Sequence, residues 1–360
     1  MSVVSGQCTE PVTIYLSPSF YCFLTNIFYK KFSVPFWREP GEDGIRVTCV
    51  FACHVLIWSV KIEAMRVKVS PYILLILTSL FWAGNFVLGR AVNTVIPPIT
   101  LSFWRWALAL LILLPFSMRH LISQRSLIQK SWKNLIVFGI LGISCFNTFV
   151  YIGLHSTTAT NALLLNSIIP VLIVIISRIF AKVAVSRAQA AGILISLAGV
   201  VTIICRADMG RLLALRVNGG DLWVLLAVIC WAIHSFRLRL RSAELHPLSF
   251  LSAIIAIGLV FIFPFYLWEI SRGGRFTLDL VSCGSMLYVA VFPSLLAYLF
   301  WNHAVVELGP NKAGLFIHLM PVFGTILSIV FLGESLQLFH LVGICLISLG
   351  IYLTTASRRK

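Results

Sequence analysis

Ten side chains that can bind or recognise stand inside long apolar stretches of this chain: Trp82, Asn85, Arg105, Asn147, Tyr151, Asn166, Trp231, His234, Tyr298 and Asn302. Their types suit holding a solute better than breaking a bond. Amides and phenols hydrogen-bond, a guanidinium pairs with an anionic group, and an imidazole titrates near neutrality. The spacing is that of helix faces. Asn147 and Tyr151 lie four residues apart, as do Tyr298 and Asn302, so each pair shares a face. Trp82 stands one turn before Asn85, and Trp231 one turn before His234. Polar groups at membrane depth are expensive, which makes them candidates for function. Each also has a plainer reading. Asn85 can bond helix to helix, Arg105 can snorkel to the interface or rest between the rings of Trp104 and Trp106, and His234 can be a neutral packing residue. Two prolines, Pro170 and Pro321, stand where apolar runs would otherwise continue and are read as paired kinks. No HExxH, GxSxG or phosphate-loop pattern occurs. No catalytic residue, cofactor or metal is therefore expected.

The elements that would carry these residues are membrane helices. With 59% apolar and 11% charged residues, the chain is not that of a soluble globule. Its apolar runs are long enough to cross a bilayer, and backbone groups in hydrocarbon must be satisfied within the helix. Ten spans can be drawn, at about 71–92, 99–117, 133–154, 158–181, 188–205, 221–238, 248–269, 283–306, 312–332 and 338–356. The short alternating segments of a membrane β-barrel are missing. Start signals support several boundaries: Ser70-Pro71, Asp221 after Gly219-Gly220, and Pro247. The net charge of +16 is scattered between spans and forms no nucleic-acid stripe. Arg66, Lys68, Arg119, Arg125, Lys130, Lys133, Lys182, Arg187, Arg237, Arg239, Arg241, Lys312, Arg358, Arg359 and Lys360 fall at one end of the spans; Arg206, Arg211, Arg216, Arg272 and Arg275 fall at the other, accompanied by Asp208, Asp279 and Glu334. The positive-inside rule then places both termini in the cytoplasm of a multi-pass cell-membrane protein.

The chain also contains itself twice. Pro170, Gly192 and Gly199 recur at one constant offset as Pro321, Gly343 and Gly350. Trp82-Ala83 with Arg90 recurs as Trp231-Ala232 with Arg239, and Pro98 as Pro247. On this alignment His234 matches Asn85, and Asn302 matches Tyr151. Each copy holds five spans. Five is odd, so the second copy enters the bilayer upside down. The expected fold is all-α and integral to the membrane: ten transmembrane helices as two inverted five-helix repeats, 66–205 and 221–356, joined by a linker at 206–220. Such repeats build many secondary transporters, with the substrate near the midplane between them. Residues 1–64 lack the alternation of spans and basic loops. They are read as an extension outside the fold, with Met65-Arg66-Val67-Lys68 as a natural inside-facing start. Glu334 has Val183 as its repeat partner, so that acid is expected to cap or pair at the interface.

These residues resemble the drug/metabolite transporter superfamily, in particular its EamA-type ten-helix members. The resemblance rests on Trp82-Ala83-Gly84-Asn85-Phe86, Arg105-Trp106, Thr160-Asn161-Ala162 with Pro170, Gly220-Asp221-Leu222 with Trp231-Ala232, Leu308-Gly309-Pro310, and Leu332-Gly333-Glu334 followed by Gly343 and Gly350. It covers about 66–356. It implies a central cavity between the halves and export of a small metabolite such as an amino acid. The first half departs from the pattern at Ala181-Lys182-Val183, where an acid is usual. The expected partners are a small-molecule substrate, the lipid bilayer, and protons or a counter-solute, with no nucleic acid. The rival readings are a non-transporting membrane assembly protein and a membrane-embedded lipid-modifying transferase.

Overall fold

The computed structural model describes residues 69–356 except 93–94, 209, 211–217, 275–278 and 333–334. The extension 1–64 and Glu334, together with the side chain of Arg90, lie outside the described residues. Every regular element described is helical. The helices are α1 (Pro71–Ala91), α2 (Pro98–Ser123), α3 (Trp132–Phe138 continued by Gly139–Cys145 and Phe146–Ser156), α4 (Ala159–Asn166 and Ile169–Ala181) and α5 (Arg187–Ile204). The second half repeats the series: α6 (Gly219–Arg237), α7 (Pro247–Ser271), α8 (Leu280–Val289, Ala290–Leu296, Ala297–Leu308), α9 (Pro310–Leu315, Phe316–His318, Leu319–Leu332) and α10 (Leu338–Ala356). Nine helical stretches among the described residues are long and apolar enough to span a membrane. α9, divided by a turn of 3₁₀ helix at Phe316–His318, is not among those nine.

The halves interlock as a two-fold axis requires. α1 packs on α8 and α9, and its counterpart α6 packs on α3 and α4. α2 pairs with α7, and α5 with α10. Both of these self-related pairs run antiparallel. The start of α2 meets the end of α7, where Phe103 stacks on Tyr266 at 4.3 Å. The end of α2 meets the start of α7, where Ser252 Oγ donates to Ser117 Oγ at 2.8 Å. Equivalent helices that run in opposite directions are the signature of inverted repeats. Between α5 and α10 the repeated glycines meet each other: a Cβ on Gly199 would lie 2.7 Å from the Gly343 carbonyl, and Gly192 faces the Gly350 carbonyl in the same way. Small residues here let two backbones approach to van der Waals contact, the main attraction between helices in lipid.

Three departures from regular helix recur in both halves. Gly139–Cys145 in α3 and Ala290–Leu296 in α8 are π-helical. Pro115 and Pro264 stand inside α2 and α7. α4 breaks at Ser167 and Ile168, and α9 breaks at Phe316–His318. Pro170 and Pro321 thus follow breaks rather than kink continuous helices; Pro170 lies in the first turn of the new segment, where its missing N–H costs nothing.

Helix starts differ in detail from the sequence reading. The Ser70 hydroxyl makes no cap; its carbonyl receives the N–H groups of Ile73 and Leu74 instead. Asn218, not Asp221, caps α6, and Asp221 completes the capping box from the third position. Gly309, at φ 83°, turns the chain from α8 into α9, a conformation open to glycine without strain.

A cavity and a buried guanidinium between the repeats

The axis between the halves passes through aromatic rings. Trp82 and Trp231, equivalent in the repeat, meet edge to face at 5.1 Å, and Trp301 closes on both at 5.2 and 5.7 Å. Asn147 and Tyr298, also equivalent, meet across the axis, Asn147 Nδ2 donating to Tyr298 OH at 3.0 Å. The π segments determine where these polar groups attach. A π turn leaves carbonyls without their usual partners, and side chains five residues on take them. Asn147 Nδ2 donates to Gly142 O at 3.0 Å, and Ser294 Oγ donates to Val289 O at 2.7 Å. Tyr298 OH also donates to Gly142 O, at 2.6 Å. In the other half, Trp82 Nε1 donates to Pro293 O at 3.2 Å. Its counterpart Trp231 Nε1 finds no acceptor, because Gly142 O is already engaged.

Above this aromatic floor lies a cavity of about 10 Å³, room for about one water molecule. Five of the ten residues singled out in the sequence line it: Trp82, Asn85, Asn147, Asn166 and Trp231. Phe86, Phe146, Ile169, Ile317 and Met320 complete the wall. Those five are ordinary apolar residues of apolar spans, and nothing in their types marks them. The polar wall is under-satisfied. Asn166 Nδ2 reaches only Met320 Sδ, at 3.4 Å, and Asn166 Oδ1 and Trp231 Nε1 have no partner. Buried polar atoms are rarely left unpaired, and two of them belong to residues of this wall.

Arg105 and Tyr151 stand one layer behind Asn85. The guanidinium is 1% exposed. Its Nε donates to Ser294 Oγ at 2.8 Å and its Nη1 to Tyr151 OH at 2.6 Å, with Asn85 Oδ1 at 3.5 Å. Tyr151 OH in turn donates to Asn85 Oδ1 at 2.8 Å. The rings of Trp106 and Tyr151 lie 5.0 and 5.6 Å from the guanidinium carbon, within cation–π range. Arg105 therefore does not snorkel. Four elements, α1, α2, α3 and α8, are tied through it.

The remaining sequence candidates lie off the cavity. Tyr298 sits behind Asn147. His234 is fully buried, stacked on Trp231 at 5.0 Å and edge-on to Phe138, and neither ring nitrogen has a partner. Asn302 is buried with Oδ1 unpartnered. Two groups escaped the sequence reading. Ser294 looked like any serine in an apolar span. His318 joins the two helix breaks, its Nε2 donating to Ser167 O at 2.8 Å while its Nδ1 lies 2.7 Å from Ser196 Oγ. Its position three residues before Pro321 was the available signal.

Polar ties also pin both ends of the bundle. At one end Asp221 joins Thr157 and Asn161 to the start of α6. There too Glu269 of α7 caps α2, accepting from Ile99 N at 3.1 Å and from Thr100 N at 2.6 Å. At the opposite end His120 stacks on His246 at 3.8 Å, and Gln124 bonds the backbone of Glu244 and His246. Burial, with His120 and Arg241 nearby, holds the His246 imidazole below its ordinary pKa.

The EamA-like transporter family matches this chain twice, over 69–205 and 218–356, and the chain belongs to that family. It is an integral, multi-pass membrane transporter. Among its relatives is the uncharacterized transporter YyaM of Bacillus subtilis (strain 168), 29% identical over 280 residues, 78% of this chain and 92% of the relative. An uncharacterized transporter of Archaeoglobus fulgidus is 26% identical over 81% of this chain and 99% of its own length. The WAT1-related protein At3g02690, chloroplastic, of Arabidopsis thaliana is 22% identical over 80% of this chain and 68% of its own. One solved crystal structure superposes with a TM-score of 0.64 at 18% identity, over 80% of this chain and 96% of that one, a likeness of fold alone.

Proposed function

We propose that this transporter is a secondary carrier that exports a small, amino-acid-like metabolite by alternating access. One half, about 71–205, rocks against the other, about 221–356, around the central cavity, driven by protons or by exchange for a counter-solute. The observation that carries this reading is the cavity itself. It lies where the repeats meet, and two of the residues that line it, Asn166 and Trp231, hold a buried polar atom without a partner. A cavity of about 10 Å³ admits no metabolite, which agrees with a closed state that must open for solute to enter. The basic loop residues favour cytoplasmic termini.

The test is counterflow. Purified full-length protein in liposomes preloaded with unlabelled amino acids should accumulate the labelled solute transiently. Asn85→Ala and Asn166→Ala should lose that accumulation, Asn166→Ala while melting like the parent protein and Asn85→Ala while still folding, with a lower melting temperature from the lost bond to Tyr151. Undiminished counterflow in both variants would move the route away from this cavity.

A further inference from the structure

The least explained group in the molecule is a cation without a counter-charge. The three hydrogen bonds of Arg105 all end on neutral oxygens, and none falls on Nη2. Among the described residues the one ion pair is His303 with Glu307, far along α8 and half exposed. Burying an ion without its opposite is costly, and neutral hydrogen bonds relieve only part of that cost. Arginine cannot escape by shedding its proton, as a lysine would. The surroundings are also those of a receptor. Tyr151 offers a hydroxyl beside the guanidinium. Asn85 bridges the guanidinium to the cavity wall, and its Nδ2 carries no hydrogen bond. Ser294 belongs to the opposite half, so Arg105 also links the two bodies that must separate.

We propose that Arg105, with Tyr151 and Asn85, is the subsite for a carboxylate of the transported solute, which is therefore an organic acid or a zwitterion rather than an amine or a neutral compound. The inference rests on the transport reading given above. A carboxylate entering from the cavity accepts two parallel N–H bonds from the guanidinium fork, a stronger and more directional partner than the 3.5 Å contact to Asn85 Oδ1. Tyr151 turns its proton to the same oxygen. Across the cavity, the unpaired Asn166 Oδ1 accepts from a donor such as an ammonium group.

The experiment uses the full chain in phosphatidylcholine nanodiscs at constant ionic strength. Melting is followed with the common L-amino acids and with two- to six-carbon carboxylic acids, each beside its own carboxamide, and with inorganic phosphate. Ligands that bind the folded state raise the melting temperature by mass action. The expected result is a shift with at least one carboxylate and about tenfold weaker binding of its amide. Arg105→Gln abolishes the carboxylate shift, and Arg105→Lys restores part of it. A purely structural arginine would lower the melting temperature in every condition and leave the ligand-induced increment intact; that outcome overturns the proposal. Should Arg105→Gln fail to fold, Tyr151→Phe decides, because it keeps the charge and must weaken carboxylates but not amides. Equal shifts with amides that depend on Asn166 and not on Arg105 would overturn the anion subsite and leave the cavity reading standing. A phosphate shift as large as any carboxylate's would mean a resident inorganic anion and overturn it too. No shift with any carboxylate, where counterflow still occurs with an amine or neutral solute, overturns it and spares the carrier. The absence of both sinks the two together.

Discussion

The surroundings of Arg105 and the region that the two-fold axis places opposite them share a backbone and almost no chemistry. By the repeat offsets, Arg105 corresponds to Ile254, Asn85 to His234, Tyr151 to Asn302 and Ser294 to Ile143. On the first side the four residues form one hydrogen-bonded chain. On the second, Ile254 and Ile143 are wholly buried among apolar neighbours, and His234 and Asn302 Oδ1 go unpaired. The helices of both regions bend, break and cross alike. The symmetry is thus held by packing devices: glycine contacts, π segments and prolines. The polar side chains are free to differ, and recognition is built on one side only.

This asymmetry can be broken from either direction. The largest effect is expected from Ile254→Arg, which sets a guanidinium where no serine or tyrosine receives it. An unpaired buried charge costs about 3–5 kcal/mol. The purified variant should melt far below the parent or fail to run as a single species on size exclusion; a parent-like melt would mean that the second side holds hidden acceptors.

Arg105→Met makes the first side resemble the second. Replacing a buried ion by an apolar side chain of similar length is often close to neutral. Tyr151 and Ser294 then lose a donor, and Asn85 loses a long contact while keeping Tyr151, so a loss of about 1–2 kcal/mol is expected, well under that of Ile254→Arg. A denaturant or thermal melt of the two variants side by side checks the order, and counterflow should vanish in Arg105→Met.

The tyrosines sharpen the contrast further. Tyr151→Phe and Tyr298→Phe each remove a buried hydroxyl and should each cost about 1 kcal/mol. Only Tyr151→Phe should lower solute affinity, because Tyr298 serves Gly142 and Asn147 behind the wall. Equal transport defects would dissolve the distinction between the two sides.

The smallest effect concerns the ends of α2 and α7. At one end a carboxylate, Glu269, holds the pair; at the other the stacked rings of His120 and His246 do. His246 has its pKa lowered by burial, by His120 and by Arg241. The folded protein then binds fewer protons there than the unfolded chain. This contribution to stability is full above the ordinary histidine pKa near 6.5 and is lost as pH falls from there through the lowered pKa of the folded state. A shallow decline in melting temperature below about pH 6.5 should flatten in His246→Asn, which keeps a capping side chain. An unchanged slope would assign the decline to another group.

Much of this architecture was legible before any coordinates. Apolar runs have a length set by the bilayer, and Pro170 with Pro321 and the paired glycines exposed the duplication. The odd span count then forced the inversion. Individual polar residues were legible as well, since each stands out against hydrocarbon. Their grouping was not. Helical periodicity tells that Asn147 and Tyr151 share a face, but not that Tyr151 turns to Arg105 while Asn147 turns to Tyr298. That division depends on the π segments, whose sequences Gly139–Cys145 and Ala290–Leu296 share no marking residue. His234 misled for a related reason. Its equivalence to Asn85 is real in the backbone, yet Gly142 lets it lie against α3 instead of the cavity.

The contact of α5 with α10 carries a consequence for how this chain can change over time. Gly192 leans on Gly350 and Gly199 on Gly343, so each residue's permitted size is decided by its own duplicate. A methyl gained on one helix has no slack to take up on the other. The two copies, separate in sequence since their duplication, are therefore not independent in inheritance: at this seam they can drift only as a pair.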